Sequence, residues 1–393
     1  MRLLVSTKDL VIGGKAYAGF PILLWDSMES CTEANEFLRH YLLRGSIGSR
    51  KSWEPVGRAL YDYFSFLQAH DLEWDDVDRG EQKTLLAAYR DYCFETAGHK
   101  RSTVRNRLLY VCEFYSFAHA KGWLKNLPFG YETRRVFRSA GFLAHVDGTG
   151  GAKAVRDVMP KAHKDLPGYL TSSEVQALLA SATNPHHRML IRLALGSGLR
   201  REELATFPRA YVFDPDLAGR TERNIRVHLD PEDGHGIRTK GNKPRTIYIG
   251  RRLMKDLNQY AIHERGLRSS LSRFPEKALF LNQFGDRFAA DGKSVDRIVR
   301  EAGESARVRA WTHLLRHTYA THTLVALQRS RDRYRIEPLV FLQRQLGHAS
   351  VQTTMVYLHL VNELADDAVL TYDDELNDLA DKLNGQTEDL HQD

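Results

Sequence analysis

The chain has 393 residues, 42% of them hydrophobic, with 56 Lys and Arg against 50 Asp and Glu for a formal net charge of +6. That apolar content suffices for conventional cores in about two or three domains of ~150 residues, which excludes a disordered chain and a disulfide-held miniprotein. Cys31, Cys93 and Cys112, odd in number and without paired spacing, point to a reducing cytosol and away from a structural zinc site.

Residues 1–31 form an N-terminal extension of short apolar runs broken by Gly and Pro, which reads as strand or extended arm. Its longest run, "AGFPILLW", is too short to span a bilayer and lacks the flanks of a signal peptide, so a cytoplasmic protein with no membrane partner is expected. From Thr32 the apolar period becomes helical. Val56, Leu60, Tyr63, Phe64 and Leu67 share one face; Leu85, Leu86, Tyr89 and Cys93 share a second. Val104, Leu108, Val111, Tyr115 and Ala118 share a third, which ends at Gly122, a residue suited to a left-handed cap. With "EANEFLRHYLL" these predict a four-helix domain over 32–129. Lys100, Arg101, Arg105 and Arg107 flank the start of its last helix and are candidate DNA contacts.

Residues 130–168, with "DGTGGAK" and "MPKAHKDLPG", are too long for an ordinary loop and read as an interdomain linker. "GTGGAK" lacks the Lys-Ser/Thr ending of a phosphate-binding P-loop. A second domain, 169–361, opens on "TSSEVQALL", which predicts a capping box between Thr171 and Glu174. A helix interrupted by Gly-Ser-Gly follows. Then "NIRVHL", "GIRTK" and "RTIYIG" alternate as a small antiparallel sheet whose last turn is Lys240–Lys243. Helices resume from Ser294, so the fold class is mainly α with a small antiparallel β-sheet. From Asn362 onward 11 residues are acidic and one, Lys382, is basic. The remainder carries 55 basic against 39 acidic residues, a net +16 that suits a polyanion such as nucleic acid.

Four segments gather unusual polar side chains: "GSGLRREELATF" (Arg200, Glu203), "GIRTKGNKPR" (Lys240), "THLLRHTYATH" (His313, Arg316) and "LGHASVQTTMVY" (His348, Tyr357). Taken singly, each has an ordinary structural role: a helical ion pair, a turn lysine, packing histidines, a packing tyrosine. His313 and His317, four apart, lack the Glu of a zinc-protease helix. Taken together, two arginines match the oxygens of a phosphate, and the histidines and lysine supply proton donors. A tyrosine in such a cationic pocket becomes a nucleophile. No carboxylate cluster suited to Mg²⁺ accompanies them. The inventory suits metal-free phosphodiester transesterification through a covalent phosphotyrosine, without a cofactor.

These segments resemble the motifs of the tyrosine recombinase (phage integrase) family. "SGLRREEL" is similar to T-G-L-R-x-x-E-L, "TKGNKPR" to G-K-G-N-K-x-R, "HLLRHTYAT" to H-x-L-R-H-x-x-A-T, and "LGHASVQTTMVY" to L-G-H-x-x-x-x-x-T-x-x-Y, all in the family's order. Ser197 stands where the family commonly has Thr, and Thr239 where it often has Gly. The resemblance implies a two-domain C-shaped clamp, with a helical core-binding domain and an α/β catalytic domain. It implies Arg200 and Arg316 clamping the scissile phosphate, Lys240 protonating the leaving 5′ oxygen, and His313 assisting proton transfer at the tyrosine. His348 would donate to a phosphate oxygen, Glu203 would orient its neighbours, and Tyr357 would form a 3′-phosphotyrosine. Lys243 and Arg245 join the DNA contacts. The implied partners are double-stranded DNA with specific sites and a homotetramer assembled on two duplexes, nucleoid-associated when bound. The acidic tail 362–393, with Leu376, Leu379, Ala380 and Leu383 on one helical face, is expected to dock on a neighbouring protomer. The rival readings are a type IB topoisomerase, which religates the same strand, and a catalytically silent DNA-binding accessory protein.

Overall fold

The computed structural model describes residues 1–44, 50–135, 152–161, 167–329 and 337–358; the acidic tail lies outside them. The chain divides into two compact units, Met1–Lys164 and Asp165–Asp393.

The first unit begins with strands. β1 (Arg2–Val5) pairs antiparallel with β4 (Pro21–Leu24), and β2 (Val11–Ile12) with β3 (Lys15–Ala16). Phe20 and Leu23 tie this extension to a helical core built from α1 (Thr32–Arg39), α2 (Trp53–Ala69), α3 (Leu85–Glu95) and α4 (Arg101–Ala120). The apolar faces expected from periodicity are the buried ones: Val56, Leu60, Leu85, Val104, Leu108 and Val111 are fully enclosed. Gly122 takes φ 76° just past α4. Its N–H reaches His119 O at 3.0 Å and that of Trp123 reaches Ala118 O at 3.0 Å, the paired bonds of a left-handed helix stop. Three buried tyrosines need partners for their hydroxyls and find them. Tyr63 and Tyr115 meet at 2.6 Å, Tyr115 donates to Trp74 O at 2.7 Å, and Tyr89 donates to Asp62 at 2.6 Å.

Described parts of the segment expected as an interdomain linker contribute to this unit. β5 (Tyr131–Arg135) and β6 (Ala152–Arg156) pair antiparallel from Tyr131↔Arg156 to Arg135↔Ala152. Val158 and Met159 follow them into the helical core. The physical reason is that pairing satisfies the backbone of both arms, while two apolar side chains anchor the return.

The second unit starts with α5 (Ser172–Ser181). The Glu174 N–H donates to Thr171 Oγ1 at 3.3 Å, and the Thr171 N–H to Glu174 Oε2 at 2.8 Å, the capping box expected from the sequence. Then come α6 (Pro185–Ser197), α7 (Arg201–Ala205), β7 (Asn224–Leu229), β8 (Arg245–Gly250), α8 (Arg251–Ile262) and α9 (Glu264–Ser269). α10 (Lys293–Ser305), α11 (Thr312–Arg329), α12 (Pro338–Leu346) and α13 (Val351–Met355) complete it. The architecture is mainly α, as expected.

β7 and β8 pair antiparallel from Asn224↔Gly250 to Leu229↔Arg245, and Ile225, Val227, Leu229, Ile247 and Ile249 alternate into the core. "GIRTK" adds no third strand: Ile237 is buried, while the Arg238 N–H donates to Thr206 Oγ1 at 3.0 Å instead of to a neighbouring strand. On α12, buried Gln345 accepts from the Tyr248 N–H at 2.9 Å and donates to its carbonyl at 3.1 Å, fastening that helix to β8. Among the described residues no helix is long and apolar enough to cross a membrane.

α6 ends at Gly198, φ 63°, where a Cβ would stand 2.5 Å from Tyr319 Cδ1. Gly198→Ala should therefore lose about 2 kcal/mol of stability from left-handed strain and overpacking. A lower urea midpoint at unchanged m would show it; an unchanged midpoint would contradict the close packing at this turn.

Candidate active site

The site is built where two helices stop. α6 and α12 each end in a left-handed glycine, Gly198 and Gly347, leaving their last carbonyls without intrahelical donors. Arg316, on α11, supplies those donors. It is 2% exposed; its Nη1 donates to Gly198 O and its Nη2 to Leu346 O, each at 2.6 Å. Arg200, two residues past Gly198, donates from Nη2 to Gly347 O at 3.0 Å. Each guanidinium is thus anchored on a helix end whose partial negative charge favours a cation. Burial, with Arg200 beside it, lowers the pKa of Arg316 to about 9, which still leaves it charged at neutral pH.

Glu203 is the carboxylate beneath them. It is fully buried on α7 and accepts from the Arg200 N–H at 2.7 Å, from Arg200 Nη1 at 3.2 Å and from both terminal nitrogens of Arg245, Nη2 at 2.8 Å. Burial alone would raise its pKa. The hydrogen bonds and charge of Arg245, joined by Arg200, hold it below the usual range instead. Arg245 can lie so deep because Gly347 has no side chain; a Cβ there would stand 2.6 Å from Arg245 Cδ. The sequence placed Arg245 among the DNA contacts. In the structure it is mostly buried and forked onto Glu203, so its charge serves the interior.

Tyr357 follows α13 and is 2% exposed. Its hydroxyl lies 2.8 Å from His317 Nδ1, not beside His313. Burial raises the phenol pKa, against the pull of Arg316 and Arg200. His348, just past α12, is half-buried with Nδ1 2.9 Å from Thr354 Oγ1, and its ring lies 6.5 Å from that of Tyr357 in near-parallel planes. Burial and then Arg316 and Arg200 lower its pKa to about 3. His313, one turn before His317, is an exposed residue whose ring nonetheless packs with its centroid 4.4 Å from that of His317; this partial burial, then Arg316 and Arg200, lower its pKa as well. The structure therefore gathers Arg200, Glu203, Arg316, His348 and Tyr357. It adds His317 and Arg245, which sequence reasoning had not placed there.

Lys240 is exposed on the tight turn between β7 and β8, where Gly241 and Asn242 have φ of 70° and 55°. Thr239 closes that turn by donating to Lys243 O at 2.8 Å. Lys240 has no hydrogen bond or ion pair among the described residues, and Lys243 is exposed beside it. In the first unit Lys100 and Arg101 are exposed at the start of α4. Arg105 donates to Pro160 O, and Arg107 pairs with Asp62 at 2.6 Å with its side chain only 16% exposed. Arg107 thus has a carboxylate partner within the first unit. No three His, Cys, Asp or Glu side chains gather as a metal site among the described residues.

Residues 168–363 match the phage integrase family. The tyrosine recombinase XerC of Actinobacillus pleuropneumoniae serotype 7 (strain AP76) is 30% identical over 207 residues, 51% of this chain and 57% of that protein. The chain thus spans little more than half the length of that relative. The tyrosine recombinase XerD of Oceanobacillus iheyensis is 24% identical over 324 residues, 80% of this chain and 89% of the relative. Among solved structures, the XerH site-specific recombinase bound to palindromic difH substrate aligns with TM-score 0.53 at 16% identity, over 89% of this chain and 92% of that one. The Tn1549 transposon integrase with transposon right end DNA aligns with TM-score 0.54 at 16% identity, over 85% and 99%. At such identities these structures establish a shared fold.

Glu203→Gln should cost about 3–5 kcal/mol at pH 7, because it removes the charge balancing two guanidiniums. Since the folded carboxyl titrates below its ordinary 4.5, its contribution is complete above that pH and is lost as pH falls through the lower folded value. Urea midpoints for wild type and Glu203→Gln should converge on acidification; a gap constant with pH would contradict an ionised Glu203.

Proposed function

The chain belongs to the phage integrase family, and we propose that it is a site-specific recombinase that exchanges strands between two DNA duplexes through a 3′-phosphotyrosine. The observation that carries this reading is the grouping of two guanidiniums, Arg200 and Arg316, close to the Tyr357 hydroxyl and an imidazole, His348.

Each step follows from that grouping. Arg200 and Arg316 spend part of their donor set on carbonyls and keep further N–H groups for the nonbridging oxygens of a phosphodiester. The Tyr357 O–H bond breaks as its oxygen attacks phosphorus, the proton passing to solvent by way of His313; an O–P bond forms, and the bond from phosphorus to the 5′ oxygen breaks. Lys240 on its exposed turn gives that oxygen a proton. His348 is neutral near pH 7 and, with Nδ1 engaged by Thr354, donates from Nε2 to a phosphate oxygen. His313 presents its imidazole at the rim for proton transfer, and Glu203 fixes Arg200 without touching DNA. Charge developing on the phosphorane meets preorganised cations. Because the phosphotyrosyl ester retains the phosphodiester's energy, a 5′ hydroxyl from a second duplex reverses the step without any cofactor.

Double-stranded DNA carrying specific sites is the partner, held by phosphate contacts from Lys100, Arg101 and Lys243 with a steep salt dependence. Four protomers on two duplexes, in a cytoplasmic and nucleoid-associated setting, complete the reading.

Wild type and Tyr357→Phe are incubated with fragmented DNA from the source organism, denatured, and the protein-linked DNA is sequenced. Defined sites should appear with wild type alone; equal yields would overturn the reading. On recovered sites, Arg316→Ala should lower adduct formation by about 10²–10³-fold. Relaxation of supercoils without exchange between duplexes would favour the topoisomerase instead. Lys240→Ala should be slow on an ordinary phosphodiester. It should recover on one with sulfur at the 5′ bridging position, whose thiolate leaves without a proton. No recovery would remove Lys240 from the acid's role.

A further inference from the structure

The Tyr357 hydroxyl makes one hydrogen bond among the described residues, to His317 Nδ1 at 2.8 Å, with the ring centroids 5.6 Å apart. A contact between a phenol and an imidazole has two polarities. His317 is buried; that burial, then His313 and Arg316, lower its pKa to about 4, so the ring is neutral at neutral pH. The phenol keeps its proton, because its own pKa is raised. With both groups neutral, the hydroxyl donates when the ring's hydrogen sits on Nε2 and accepts when it sits on Nδ1.

We propose that His317 is the positioning residue for the Tyr357 nucleophile, accepting its hydroxyl hydrogen and so aiming the oxygen lone pairs away from α11 toward a phosphate held by Arg200 and Arg316. This rests on the recombinase reading above. His317 faces His313 and Arg316 on its own helix and Tyr357 from the segment after α13, with His348 and Arg200 the other ionisable groups of the pocket. A ring that titrates near 4 is too weak a base to hold the proton of a phenol above 10, so the contact aims the hydroxyl without ionising it. His313 is exposed, and its ring meets His317 instead of the phenol, so it does not share this task.

The test uses the full chain. In protein labelled with ¹⁵N-histidine and free of DNA, His317 should show the Nε2–H tautomer, with an Nδ1 resonance that moves in Tyr357→Phe. A protonated Nδ1, or a resonance indifferent to Tyr357→Phe, overturns the proposal. On sites recovered by covalent capture, His317→Ala should slow single-turnover adduct formation by about 10- to 100-fold. DNA affinity across a salt titration should not change. His317→Asn places an amide oxygen near the position of Nδ1 and should restore most of the rate. Equal losses in the Ala and Asn variants would mean a packing role and overturn the proposal. If wild type forms no Tyr357-dependent adduct, the recombinase reading fails, and the DNA-free tautomer decides the contact alone.

Discussion

The second unit depends on a single electrostatic arrangement: three guanidiniums, from Arg200, Arg245 and Arg316, drawn out of water around one carboxylate, Glu203. Isolated, such an excess of buried positive charge would be ruinous. It is tolerated because the carbonyls of Gly198, Leu346 and Gly347 act as partial anions at two helix ends. Neutral oxygens suit the task better than a second carboxylate would. They fix the guanidinium planes and reduce the cost of burial, yet leave net charge for an incoming anion.

The same arrangement sets the protonation of everything beside it. Burial next to arginines pushes His348 to about 3 and His317 to about 4, so both imidazoles stay neutral. A neutral imidazole keeps one donor and one acceptor nitrogen. In both rings it is Nδ1 that is engaged by a hydroxyl, of Thr354 at His348 and of Tyr357 at His317. The glycines belong to this arrangement too. Gly198 lets α6 stop where its carbonyl faces Arg316, and Gly347 leaves room for Arg245 to reach Glu203.

Much of this was legible in the sequence because the signals were local. Helical faces in the first unit repeat over one or two turns, Thr171 and Glu174 are three residues apart, and the four motifs are contiguous strings. What escaped depends on meetings between distant segments. His317 was visible only as a histidine four residues from another; its partner comes forty residues later, beyond α12 and α13. Arg245 looked like a solvent-facing base beside a lysine turn, and nothing in its neighbours reveals that Glu203, forty-two residues earlier, faces it. The partner of Arg107 was hidden for the same reason, since Asp62 belongs to another helix. β5 and β6 escaped because their composition is that of a basic loop, and only their pairing makes them strands.

A sheet of two strands consists of nothing but edges. The outer N–H and C=O groups of a strand invite a strand from another molecule, and edges left open in this way are where folded proteins stick to one another. At Tyr248 both of those groups are already engaged by the Gln345 side chain. One amide on a helix thereby imitates the neighbour β8 lacks, offering a donor and an acceptor at the spacing of a strand while ending the ladder there. The hairpin keeps its register, and a passing strand finds no vacant backbone at that position.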